Sequence, residues 1–166
     1  MGSRRAALDC RDAMVPHDPE AFLAVASRFE NIELVQAVVD DLLGRLGLEE
    51  EERHWFGLAV REAVANAIKH GNRSDPGKQV EVEVGLADGE VVVSVRDEGT
   101  GFDPTEVANP LAPENLLRPG GRGIFYMRSL MDHVDYRFGA DGGTEVVLRK
   151  RVTGAAAPRT EEEKTR

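Results

Sequence analysis

Apolar residues recur every three or four positions over two stretches of the chain. Leu34, Val35, Val38, Val39, Leu42, Leu43 and Leu46 keep the rhythm of one helical face. Ser27-Arg28-Phe29-Glu30 ahead of them has the form of a capping box, with Ser27 at the N-cap and Glu30 three residues on. Gly44 weakens the interior of this helix, and Gly47 is placed to stop it. Glu49 to Glu52 then put negative charge where a second helix opens and its dipole favours it. That helix passes through Trp55 and Phe56 and ends at Gly71-Asn72. Val60, Val64 and Ile68 lie four apart on one of its faces. Glu62, Asn66 and His70 lie four apart on another, with Lys69 beside them. Ala63 and Ala67 fall between the rows and are small enough to let another group approach.

Elsewhere the period is two, or the run is short and apolar. Ala21 to Ala26 reads as a short strand. Val80, Val82 and Val84 alternate with Glu81 and Glu83, the pattern of a half-exposed strand. Ala87-Asp88-Gly89-Glu90 has hairpin turn chemistry, and Val91 to Val95 is the returning strand, ending at Arg96-Asp97. Residues 105–119 hold three prolines, two asparagines and no long periodic element, the pattern of a functional or mobile loop. Ile124 to Met131 reads as a helix with Ile124, Met127, Leu130 and Met131 on one side. Val134 to Phe138 and Thr144 to Leu148 read as strands joined by a turn over Gly139 to Gly143. This order predicts an α+β fold: a two-layer α/β sandwich with one mixed, mostly antiparallel sheet and helices stacked on one face. The outer face of such a sheet is solvated or covered by a partner. Residues 1–18 read as a flexible lead-in, 19–151 as one domain, and 152–166 as a disordered tail.

Composition narrows the classes. With 166 residues, 41% of them hydrophobic, the chain is large enough for one domain with a real core. A net charge of −9 opposes nucleic-acid binding, which needs a basic patch to displace counterions. No apolar run approaches a membrane span, and the basic start lacks the apolar stretch of a signal peptide. Ala6 fails the myristoylation pattern. Cys10 is the single cysteine, which excludes an internal disulfide and points to a reducing cytoplasm. His17, His54, His70 and His133 show no metal-ligand spacing, so a zinc site is not expected.

Three segments carry candidate chemistry. Glu62 could take a proton from a bound hydroxyl. Asn66 offers an amide oxygen of the kind Mg²⁺ accepts alongside phosphate oxygens and waters. The competing reading is a solvated helix face, weakened here by the Ala, Val and Ile neighbours. Asp97-Glu98-Gly99-Thr100-Gly101 follows a strand. Glycines there allow close approach of backbone to a ligand, and an Asp at a strand end can accept a hydrogen bond from an exocyclic amine. A plain turn explains those five residues equally well. Gly120-Gly121-Arg122-Gly123 precedes a helix, where free N–H groups bind phosphate. A flexible loop end is the alternative. It is neither a P-loop nor a dinucleotide fingerprint, because no Gly-Lys-Ser/Thr follows and Met127 breaks the G-x-G-x-x-G spacing.

Glu62-x-x-x-Asn66-Ala67-x-x-His70-Gly71, Asp97-x-Gly99-x-Gly101 and Gly121-x-Gly123, in that order, resemble the N, G1 and G2 boxes of the GHKL ATPase superfamily. Gly142-Gly143-Thr144 resembles its closing Gly-Thr element. The match is strongest to the small anti-sigma serine/threonine kinases of bacteria, through Glu62 to Ile68, His70-Gly71, Arg96 to Gly99, and Gly123-Ile124 leading to Met131-Asp132. The resemblance implies the ATP-binding α/β sandwich of that superfamily, with ATP and Mg²⁺ as cofactors. It implies phosphorylation of a Ser or Thr on an anti-anti-sigma (STAS) partner, competing capture of a sigma factor, and pairing of two copies through the sheet. By the same resemblance Glu62 is the base, Asn66 the Mg²⁺ ligand, and Asp97 the reader of the adenine amine, helped by Thr144. Gly99 and Gly101 admit the adenine. Gly121, Arg122 and Gly123 cover the phosphates, and Lys69, His70 and Gly71 line the phosphate side. Asn66-Ala67-Ile68-Lys69 is also similar to the N box of histidine kinases. A detached sensor-kinase domain and an ATP-binding anti-sigma module without turnover are therefore the alternative readings.

Overall fold

The structure is a computed structural model that describes residues 19–100, 127–140 and 142–152. Five strands form one sheet: β1 (Ala21–Ala26), β2 (Gln79–Ala87), β3 (Glu90–Asp97), β4 (His133–Phe138) and β5 (Thr144–Arg151). Their order is β1-β2-β3-β5-β4, and every described pairing is antiparallel. The mixed, mostly antiparallel sheet expected from the sequence is thus antiparallel at each described pair. Short hairpins impose that direction on β2–β3 and β4–β5, while β1–β2 and β3–β5 pair antiparallel across longer connections.

Two helices, α1 (Asn31–Arg45) and α2 (Glu50–Asn66), cover one face of the sheet. In β2, Val80, Val82 and Val84 point at them, and across the ladder stand Asp97, Val95 and Val93 of β3. Leu148 and Val146 of β5 continue the same face. The layer between holds Phe56, Val60, Val64 and Ile68, each fully buried. The apolar row read from Val60, Val64 and Ile68 therefore faces the sheet.

The α1 side differs from its sequence reading in two respects. Ile32, Val35, Val39 and Leu43 are its buried row, while Leu34 is 55% exposed. Ser27 is not the N-cap. The helix begins at Asn31, and the Ser27 hydroxyl is instead buried, accepting a hydrogen bond from Asn72. The stop is as read: Gly47 has φ +94°, and the Leu48 and Gly47 amides donate to the Leu43 and Gly44 carbonyls, a Schellman turn. α2 carries the capping box that α1 lacks, with Glu49 at the N-cap and the Glu52 side chain accepting the Glu49 amide.

The β2–β3 hairpin turns on Asp88 (φ 54°) and Gly89 (φ 78°), the pair of positive φ values that matches strand twist. Val152 is buried and its amide bonds to the Gly89 carbonyl, so the fold includes the residue at which the tail was expected to begin. The other face of the sheet has a small buried centre of Val92, Ser94 and Val147. Charges ring it, including Glu90 with Arg149 at 3.2 Å and Arg137 with Glu145 at 3.5 Å. Among the described residues no helix is long and apolar enough to cross a membrane. The lead-in, most of the tail, the loop over 105–119 and the first three residues of the helix read from Ile124 lie outside the described residues; residues 127–130 are helical as read, with Met127 and Met131 buried.

Candidate nucleotide site

The site forms where α2 ends against the sheet. Its last turn is not α-helical. Ala67–Gly71 is a π-turn closed by the Asn72 amide on the Ala67 carbonyl at 2.7 Å. Such turns gather at functional sites and take more residues per revolution than an α-helix. The step from Asn66 to His70 therefore falls short of the rotation that carries Glu62 to Asn66. Glu62 and Asn66 share a face of α2 and are half-buried, whereas Lys69 and His70 are exposed on the π-turn. The straight three-residue row expected from the sequence is corrected to a pair, followed by an offset.

Beyond the π-turn the chain brings four glycines and one carboxylate together. A β-carbon at Gly71 would lie 2.1 Å from Asp97 Oδ2, and one at Gly99 would lie 2.4 Å from the Gly71 carbonyl oxygen. Gly142 and Gly143, at φ +85° and +84°, would bring a β-carbon to 2.8 Å from the Gly99 oxygen and 2.5 Å from the Asp97 oxygen. Real β-carbons do not approach that closely, so helix end, strand end and β4–β5 turn meet only because these side chains are missing. Asp97 is buried at 5% exposure. Its Oδ1 accepts the Gly99 amide at 2.9 Å and the Thr144 amide at 3.0 Å, which fixes the plane of the carboxylate. Burial raises the Asp97 carboxyl above the ordinary aspartate value. The two amides and the charges of Lys78 and Arg96 pull it partly back.

A cleft of about 300 Å³ opens here, lined by Glu81, Arg96, Asp97, Glu98, Gly99 and Gly142. A cleft of similar volume between α1 and α2 is lined by Glu33, Asp40, Arg53 and His54, and holds none of the residues singled out above. Chemistry separates the two: only the first counts a buried carboxylate, that of Asp97, among its lining residues. Glu62 and Asn66 do not line it. They stand back along α2, Glu62 about 6 Å further from the π-turn than Asn66 at an α-helical rise. Asp97, Gly99, Gly71 and Thr144 are thus brought together, and Glu62 with Asn66 lies at a distance along the same helix. Gly101, Gly121, Arg122 and Gly123 lie outside the described residues. Sequence reading missed Asn72, Ser27 and Glu98. These hold the end of α2 to three strand ends, and their type, polar residues in or beside turns, gave no signal of it.

Residues 25–150 match the family model described as the histidine kinase-like ATPase domain. The chain belongs to the histidine kinase-like ATPase family. Within this family it is similar to the anti-sigma F factor of Geobacillus kaustophilus, 34% identical over 142 residues, covering 83% of this chain and 96% of the relative. It is also similar to the serine-protein kinase RsbW of Bacillus subtilis, 28% identical over 138 residues, covering 80% of this chain and 85% of the relative. Among solved structures, the RsbU and RsbW domains of a Mycobacterium tuberculosis protein share its fold, with a TM-score of 0.59 at 24% identity. That match covers 82% of this chain, which spans 32% of the longer one. The antiparallel sheet with helices on one face is accordingly the histidine kinase-like ATPase fold.

Proposed function

We propose that this protein is an ATP-dependent serine/threonine kinase that acts as an anti-sigma factor. In this reading it phosphorylates an anti-anti-sigma protein of the STAS type and, in competition with that partner, holds a sigma factor. The observation that carries the reading is the buried Asp97 carboxylate, fixed by the Gly99 and Thr144 amides beside a glycine-lined cleft. An adenine needs such an acceptor for its exocyclic amine where water is excluded. The names of the relatives supply both halves of the function, kinase and anti-sigma factor.

The remaining roles follow the length of α2. Asn66 and then Glu62 stand progressively farther from Gly71 along α2, about 6 Å apart at an α-helical rise, an order that suits the phosphates of an extended nucleoside triphosphate anchored at Asp97. Asn66 is the residue suited to hold Mg²⁺, through its amide oxygen. The ion, when bound, neutralises charge on the phosphates. Lys69 and His70, with Gly121, Arg122 and Gly123, gather the phosphate oxygens. Glu62 takes the proton of the substrate Ser or Thr hydroxyl as that oxygen bonds to the γ-phosphorus. The bond from the γ-phosphorus to the bridging oxygen breaks, and ADP leaves. A net charge of −9 suits protein partners better than nucleic acid, and the cytoplasm is where those partners are met.

The test mixes the purified protein with labelled ATP, Mg²⁺ and candidate anti-anti-sigma proteins from the same genome. Label on a Ser or Thr of one of them is the expected result. ATP binding without transfer to any partner would leave an ATP-binding anti-sigma module in place of the kinase.

A further inference from the structure

Asn72 sits where the π-turn meets the sheet, and it is fully buried. Each of its polar groups is engaged. Its amide closes the π-turn on Ala67, and its carbonyl accepts the Asp75 amide at 3.0 Å. Its side-chain Nδ2 donates to the Ser27 hydroxyl at 2.6 Å and to the Gln79 carbonyl at 2.8 Å. Its Oδ1 accepts the amide of Glu98 at 2.8 Å. The Glu98 side chain then reaches back, and its Oε2 accepts the Gln79 amide. One side chain therefore ties the end of α2 to the end of β1, the start of β2 and the residue after β3. Arg73 and Ser74 follow at φ 53° and 56°, a conformation that costs residues with side chains and persists only where its surroundings impose it.

The Glu98 amide lies between Asp97 and Gly99. Whatever holds that amide sets the carboxylate against anything bound beside it. We infer that Asn72 and Glu98 form a clamp that fixes the Asp97–Gly99 backbone relative to α2, and that this clamp determines which purine the site accepts. The inference rests on the reading that Asp97 meets the base. A carboxylate favours a purine bearing an amine over one bearing a carbonyl at the same position only while it is held firmly. A loose one turns away or admits water, and the penalty for the wrong base fades. Asn72 and Glu98 are positioning residues in this scheme: Asn72 is buried within the network, and the Glu98 side chain, although it lines the cleft, acts through its bond to the Gln79 amide.

The experiment measures competition of ATP and GTP against a fluorescent ATP analogue, with thermal unfolding of each protein. The proteins are the wild type, Asn72→Ala, Glu98→Ala and Ser27→Ala. The wild type is expected to prefer ATP. Asn72→Ala is expected to reduce the ATP-over-GTP preference about tenfold, the worth of one well-placed hydrogen bond. Glu98 is exposed, so its truncation leaves the core intact and decides the matter where Asn72→Ala does not fold. Its preference is expected to fall about threefold. Ser27→Ala removes one leg of the network away from Glu98 and is expected to lose stability while keeping the preference. An unchanged preference in Glu98→Ala overturns the clamp, and so does a loss in Ser27→Ala as large as in Asn72→Ala. A wild type that binds neither nucleotide refutes the underlying reading instead, a result distinct from a selective wild type with selective variants.

Discussion

The carboxylate of Asp97 rests directly against the α-carbon of Gly71, so closely that a β-carbon at residue 71 would lie 2.1 Å from Oδ2 and 2.8 Å from the Asp97 β-carbon. Helix end and strand end are in contact through an atom that is absent. Gly71→Ala forces one of them to move. It is expected to destabilise the fold by about 1–3 kcal/mol, the usual cost of an overfilled site, and to remove ATP binding. Gly89→Ala is the control. It has open space around it but φ +78°, so it is expected to cost about 1 kcal/mol and leave ATP binding unchanged. Urea unfolding and a nucleotide titration separate the two.

Asp97→Asn is expected to divide stability from binding. Burial raises the Asp97 carboxyl above the usual aspartate value, so the folded chain holds this proton more tightly than the unfolded chain. The contribution of Asp97 to stability is therefore full below the ordinary value and lost as pH rises through the raised one. Asn keeps an oxygen for the Gly99 and Thr144 amides and carries no charge to desolvate. Stability at neutral pH should be equal or higher, while ATP affinity falls about hundredfold. In the wild type, ATP binding should weaken on acidification at a higher pH than an ordinary aspartate sets. ATP affinity of the Asn variant equal to wild type would refute the adenine assignment.

Glu62→Gln should leave ATP bound and stop its use. The amide keeps the shape of the side chain and cannot accept the hydroxyl proton. Transfer to the protein substrate is expected to fall by about 10²–10⁴-fold, with nucleotide affinity within about twofold of wild type. Single-turnover phosphorylation beside equilibrium binding reads both quantities. A variant that transfers phosphate at the wild-type rate would remove Glu62 from the mechanism.

Glu90→Ala tests the far face of the sheet. It removes the carboxylate 3.2 Å from the Arg149 guanidinium, both side chains being about nine-tenths buried. Loss of one member of such a pair is expected to cost about 3 kcal/mol, seen as a lower urea midpoint. Because the pair lies on the face away from α2, nucleotide affinity below the unfolding transition should be unchanged. A change in affinity would mean that the two faces are coupled.

The parts of this fold that were legible from sequence are those governed by local rules. Alternation of Val80, Val82 and Val84 placed β2, and Asp88-Gly89 placed its turn, because pleat and turn sterics act over a few residues. Gly47 marked a helix stop for the same reason. Ser27 was misread because a Ser with Glu three residues on suits a cap, yet the hydroxyl is taken by Asn72, 45 residues away. Leu34 was misplaced because helical rhythm does not say which of two adjacent apolar residues meets the sheet. The π-turn left no trace in the row Glu62, Asn66, His70. It is closed through Asn72, whose position depends on three strand ends, and no local preference encodes that. Of the site, the motif residues were recognisable, while the geometry joining Gly71, Asp97, Gly99 and Thr144 emerged only from the packing.

The four glycines around Asp97 also bear on how such a site can change over generations. Every codon change away from glycine adds at least one carbon, and at Gly71, Gly99, Gly142 and Gly143 that carbon would stand 2.1, 2.4, 2.8 and 2.5 Å from a neighbouring atom, closer than real β-carbons come. No sequence of small adjustments leads away from this arrangement. Variation has to enter through residues that do not shape this junction. A saturation scan of the chain should show this as a sharp cliff at Gly71, Gly99 and Gly143, with graded slopes across the exposed positions of α1.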